Sequence, residues 1–292
     1  MSARPHHLPP LLAALTVGAC VGLTGGLEPE PPRTLPRVER TGYVVVGVGG
    51  PLGETSFNAS LSFSESIVFA DFIPSPRRTV GPCAVSDFGG TVVPPNAPPP
   101  RSRPASAGTV TVSNGRDPLS LTPDALAQFP YTYPMSGRWR PGERVRVEAA
   151  GDEVPAFSLS LTMPSAPTVL SPTVASPSER VPWVRGQPFV VRRRPGASGT
   201  FTVTFNQNTV IERSATAEIG PPIIVSCAFP AATEVATVPA AALREYVPSS
   251  TAADLRTIVF FTTTEEAVLT AGDYRVRVSA EGRGPAVNIE VR

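Results

Sequence analysis

From Gly42 onward the apolar residues recur at every second position, a period that suits an extended strand, whereas a helix would place them three and four apart. The stretch Gly108-Thr109-Val110-Thr111-Val112-Ser113-Asn114 sets valines on one face and hydroxyls on the other, and Ala59, Leu61 and Phe63 alternate with Ser60, Ser62 and Ser64. Segments 43–48, 67–73, 144–148, 157–163, 189–192, 199–206, 223–227, 258–262, 274–278 and 287–291 also read as strands. Gly49-Gly50-Pro51, Asn114-Gly115 and Pro141-Gly142 supply turns between them. With 36 prolines and 24 glycines, about a fifth of the 292 residues, long helices are excluded. Short ones are expected only at 122–126 and 239–246, where a proline opens a capped or alanine-rich turn. The proline-dense stretch 91–104 reads as a surface loop.

The fold class read from this pattern is all-β: two antiparallel β-sandwich domains in tandem, each long enough to bury its own core. The proline- and serine-rich segment 164–182 carries little periodicity, so the boundary is set after Met163, giving domains at 40–163 and 164–292. An internal repeat supports one shared topology. Residues 108–114 match 199–206, and 141–151 match 271–282, in the same order with one residue inserted in each.

All 25 basic residues are arginine, which removes Schiff-base chemistry and a Ser-Lys dyad. The two histidines are His6 and His7, both in the N-terminal segment discussed next, so no imidazole remains beyond it for a Ser-His-Asp triad or a zinc site. A formal net charge of +1 lacks the basic excess of a nucleic-acid binder. Expected cofactors and metals are none.

In residues 1–20 a short start carrying Arg4 leads to an apolar run from Leu11 to Val17, and the segment ends on Val17-Gly18-Ala19-Cys20. That layout is a secretory signal with an apolar run too short to span a bilayer. It resembles the lipobox of bacterial lipoproteins, and the resemblance implies removal of residues 1–19 and acylation of Cys20. Residues 20–39, with Glu28-Pro29-Glu30-Pro31-Pro32-Arg33, read as an extended tether. The expected location is the bacterial cell envelope, with Val21 favouring the outer membrane, and the expected partners are the membrane, through the lipid, and an envelope polysaccharide or protein. The chain as a whole also resembles uncharacterised exported β-rich lipoproteins of high-GC bacteria.

With Cys20 acylated, Cys83 and Cys227 remain as an even pair in an oxidising compartment. They either bond to one another or sit as buried apolar residues in separate domains. Leu269-Thr270-Ala271-Gly272-Asp273-Tyr274 resembles the tyrosine corner of immunoglobulin-like domains, implying that Gly272 turns the chain and that the Tyr274 hydroxyl bonds back to backbone. Candidate ligand-binding residues are the cluster Arg192, Arg193 and Arg194, whose planar donors suit phosphates or acidic polysaccharide, and the aromatic group Tyr131, Tyr133 and Trp139. Asp152-Glu153 and Glu265-Glu266 are acidic pairs without calcium-loop spacing. The reading is a non-enzymatic envelope lipoprotein, structural or binding. The alternative is a carboxylate-dependent carbohydrate-active hydrolase or a carbohydrate-binding adhesion module.

Overall fold

The computed structural model describes residues 37–48, 56–68, 78–87, 102–116, 118–123, 131–136, 139–173, 179–208, 223–248 and 256–292. Cys20, the signal segment, the expected tether as far as Pro36, and the helix expected at 122–126 beyond Pro123 lie outside them, whereas Arg37 to Glu39, read as the end of the tether, are paired in the first strand. In chain order the strands are β1 (Arg37–Val48), β2 (Ser56–Val68), β3 (Arg78–Val80), β4 (Cys83–Asp87), β5 (Ser102–Pro104), β6 (Val110–Ser113) and β7 (Leu119–Leu121). They continue as β8 (Tyr131–Ser136), β9 (Arg144–Ala149), β10 (Phe157–Thr162), β11 (Val169–Ser171), β12 (Arg180–Trp183) and β13 (Phe189–Arg193). The last are β14 (Thr200–Asn208), β15 (Ile223–Pro230), β16 (Val235–Val238), β17 (Arg256–Ala271), β18 (Tyr274–Arg283) and β19 (Val287–Val291). The protein is all-β, as the alternation requires.

The strands form a 12-stranded sheet, a four-stranded sheet in the order β10-β9-β6-β7, and a three-stranded sheet in the order β11-β13-β16. The large sheet runs β3-β4-β15-β14-β17-β18-β1-β2-β5, with β8 added on β2 and β19 joining β17 to β12. It covers two cores on its inner face. One core packs Val44, Leu61, Phe63, Val276 and Val278 against Val110, Val147 and Phe157 of the four-stranded sheet. The other packs Phe201, Val203, Phe205, Phe261 and Ile289 against Phe189, Val191 and Val238 of the three-stranded sheet. Burying each such side chain contributes about 1.5–3 kcal/mol.

Both cores draw on both sides of the Met163–Pro164 position. Cys83 and Val85, early in the chain, lie in the second core, and Tyr274 to Ala280, near its end, lie in the first. The strand that makes this possible is β17. Its 16 residues span roughly 50 Å, well beyond the reach of the five- or six-residue strand usual in a sandwich. Its first half pairs with β14 and its second half with β18.

Several expectations are corrected. The sheets are not purely antiparallel: β1 runs parallel to β18 and β12 parallel to β19, because these partners are remote in sequence and no hairpin dictates their direction. The sequence repeat is not a structural one. Its first copies, β6 and β9, are ladder neighbours, whereas the second copies, β14 and β18, are separated by β17. Residues 239–246 form no helix but successive turns closed by i to i+3 bonds, Ala242 N to Pro239 O and Tyr246 N to Leu243 O. They stay as turns because Ala242, Leu243 and Tyr246 are all buried in the second core, which fixes their course more tightly than alanine's helix preference. Within the proline-dense stretch, Ser102–Pro104 pairs at the end of the large sheet on β2, where a proline costs no ladder bond.

Cys83 and Cys227 stand opposite one another in the β4–β15 ladder and form a disulfide, both fully buried, across a sequence separation of 144 residues. Of the two alternatives open from sequence, the bond is the one found.

Candidate functional site

Strand alternation that buries one face must present the other, and on the large sheet the outer face carries hydroxyls. In β14, Phe201, Val203 and Phe205 point into the core, leaving Thr200, Thr202 and Thr204 outside. In β17 the inward residues are Val259, Phe261 and Thr263, which leaves Thr262, Thr264 and Glu266 outside. Thr202 sits opposite Thr262 and Thr200 opposite Thr264. On the other side of β14, Thr204 sits opposite Ser226 of β15, their hydroxyls 3.1 Å apart.

The face continues across β18 and β1. Thr264 is opposite Glu281 and Glu266 is opposite Ser279. Ser279 in turn neighbours Val45, and Arg277 neighbours Tyr43. Together these residues line a groove of about 570 Å³. Its charged groups are tied locally: Arg277 Nε lies 3.4 Å from Glu266, and Arg283 Nη2 lies 2.9 Å from Glu281. Exposed pairs of this kind hold position more than they stabilise.

Aromatic rings flank the hydroxyls at both ends. Tyr43 is 47 % exposed, and Phe260, beside Thr204 on the same face, is 37 % exposed. Strand rise and spacing put them on the order of 25–30 Å apart along the sheet surface. A row of hydroxyls that can each donate and accept, bounded by flat apolar rings, matches a long, polar, uncharged or weakly charged ligand. Among the described residues no group of three or more His, Cys, Asp or Glu converges to hold a metal ion.

The residues singled out from sequence are not brought together. Trp139, 4 % exposed, is packed in the first core and offers no platform. Tyr131 and Tyr133 pair along β8 with Leu61 and Ala59, and their side chains lie outside the described residues. The arginine cluster is split by alternation: Arg192 and Arg194 are exposed, and Arg193 is buried. Glu265 and Glu266 are likewise on successive strand positions; Glu265 accepts the Ser198 hydroxyl while Glu266 faces the groove.

At the expected tyrosine corner, Gly272 does turn the chain, with φ +57° and a Cβ there meeting Pro155 Cγ at 2.8 Å. Tyr274 is buried, but its side chain borders a cluster of Arg40, Glu65, Arg103 and Glu153, and it makes no bond to backbone among the described residues. Burial, reinforced by the two glutamates, raises its phenol pKa. The backbone bond implied for Tyr274 is instead made by Tyr246, whose hydroxyl donates to Ile223 O at 3.1 Å.

What sequence reasoning missed is the groove, although half its signal was in plain view. The threonines of Thr200 to Phe205 are the polar half of the alternation that located β14, and only the neighbouring of β14, β17, β18 and β1 turns scattered hydroxyls into a surface. Compared with protein families, with curated sequences and with solved structures, the chain matches none.

Proposed function

We propose that the protein is a non-enzymatic lipoprotein of the bacterial cell envelope, held through Cys20, that binds an extended polysaccharide along the outer face of its large sheet. The observation that carries the reading is the group of hydroxyls of Thr200, Thr202, Thr204, Ser226, Thr262 and Thr264 on the outer face of the large sheet, which also exposes the rings of Tyr43 and Phe260. The Cys83–Cys227 bond supports an oxidising compartment, and the signal-like first 20 residues support export. A single weak contact per sugar suffices when a polymer crosses several strands.

The test is titration of soluble protein from Val21 to Arg292 with envelope polysaccharides, followed by calorimetry. Tyr43→Ala is expected to weaken binding about five- to tenfold, the loss of one stacking ring. The paired change Thr202→Val with Thr262→Val is expected to weaken it by at least as much. Equal affinity in all three proteins sinks the assignment of this face.

A second reading has one observation behind it: Glu266 and Glu281 both line the groove. A carboxylate pair is the machinery of a glycosidase. Each here is engaged by an arginine, Arg277 or Arg283, which suits anchoring more than proton transfer. Product release from a bound glycan that disappears in both Glu266→Gln and Glu281→Gln would replace binding with hydrolysis.

A further inference from the structure

Arg193 is 3 % exposed, a buried cation on β13. Its Nη1 donates to Ala231 O at 2.6 Å and to Thr233 O at 3.2 Å, and its guanidinium carbon lies 4.4 Å from the centre of the Phe201 ring. These are a carbonyl pair and a π face, none of them an anion. Among the described residues no carboxylate forms an ion pair with it, and its Nε is buried without an acceptor. Burial pulls its pKa down, but an arginine retains its proton at any ordinary pH.

A second orphan lies on another strand. Thr263 of β17 is buried, and its Oγ1 has no hydrogen-bond partner among the described residues. Arg193 and Thr263 line one cleft of about 280 Å³, walled by the segments 162–168 and 193–198. Buried polar groups without partners are rare and call for a cause, and an unpaired buried cation is among the most costly. Two of them lining one cleft share a single remedy.

We propose that this cleft binds an oxyanion, a carboxylate or a phosphate-like group, on the guanidinium of Arg193 with the Thr263 hydroxyl as a second donor. Both residues can donate, and the excess charge is positive, so the ligand must be an acceptor and negative. Glu265 and the exposed Arg194 line the same cleft, and Glu265 accepts the Ser198 hydroxyl. Gly196 keeps the place open: a Cβ there would stand 3.1 Å from Arg193 Nη2, in the space that an anion oxygen would occupy. The cleft is lined from Thr263, an inward residue of β17, whereas the hydroxyl groove is lined from the outward Thr262 and Thr264, so the two sites stand independently.

The experiment is calorimetric titration of the full chain, purified in detergent, with acetate, phosphate and sulfate at constant ionic strength set by chloride. One saturable site per chain is expected, together with a rise in melting temperature that follows occupancy. Thr263→Val is expected to weaken binding about tenfold and Gly196→Ala at least tenfold. Both leave Arg193 on its two carbonyls, so both proteins stay folded, and circular dichroism checks this. Binding of acetate alone identifies the ligand group as a carboxylate, and binding of phosphate and sulfate alone identifies it as tetrahedral; either supports the site. No saturable binding of any of the three by the unaltered chain overturns it, as does unchanged affinity in both variants.

Discussion

Two buried tyrosines show how little a side chain's burial says about what it does. Tyr246 is sealed in the second core with its hydroxyl on Ile223 O, and burial drives its phenol far above the usual range. Tyr274 is as well buried by area, yet its hydroxyl end borders charges rather than a carbonyl. Tyr246→Phe is therefore expected to cost about 1 kcal/mol, more because Ile223 O is left without its donor, and Tyr274→Phe to stay within about 0.5 kcal/mol. Urea denaturation of the two variants settles the order, and a larger loss for Tyr274→Phe would return the structural role to the corner. The sign of the alkaline response follows from the raised folded-state pKa of Tyr246. Its contribution is complete below the ordinary phenol value of 10.0 and is lost as pH climbs above it, so the gap between Tyr246→Phe and the unaltered protein should hold its full size at neutral pH and close in strong base.

Among the elements, β4 is held in an unusual way for so short a strand. It adds five residues to the edge of β15, and the disulfide fixes it there by closing a loop across 144 residues. In the chain-entropy account such a loop is worth on the order of 5 kcal/mol. Cys83→Ser with Cys227→Ser should lower stability by several kcal/mol, and hydrogen exchange should show β3 and β4 opening before β14 and β17. Uniform loss of protection instead would mean that the bond stabilises the whole sheet and not its edge. The elements themselves were legible: period two located nearly all the long strands, since burial of alternate residues leaves a mark in any window of five or six. Their partners were not. Nothing in Tyr43 to Val48 announces a parallel neighbour at Arg277 to Gly282, because ladder bonds are made by backbone that every residue shares. The same blindness hid the groove, whose threonines are separately ordinary. It also hid the isolation of Arg193, whose two neighbours in sequence face the other way. The segment 164–168, read as a linker for its prolines, is in fact pressed on β18, where a Cβ at Gly282 would meet Pro164 O at 2.7 Å.

At the scale of the molecule, one sheet serving two cores removes the independence that tandem domains normally enjoy. Losing the first core strips partners from β18, and with it from the second half of β17. Unfolding is accordingly expected as a single transition, with calorimetric and van't Hoff enthalpies in agreement. A fragment of residues 164–292 should fail to give a cooperative melt, because Val276 and Val278 would face water. Two separate transitions, or a cooperative fragment, would show that β17 joins the cores without coupling them. The placement of β1 bears on a different property, the response to force. Hydrogen-bonded to β2 on one side and, in parallel, to β18 on the other, it is gripped along both edges from Thr41 to Val48. A pull applied to the N-terminal end of β1 along the strand axis would load these rungs in shear together instead of peeling them one after another. If the protein is held at that end and loaded by a polymer on its sheet, as proposed, the load passes through a strand gripped on both edges.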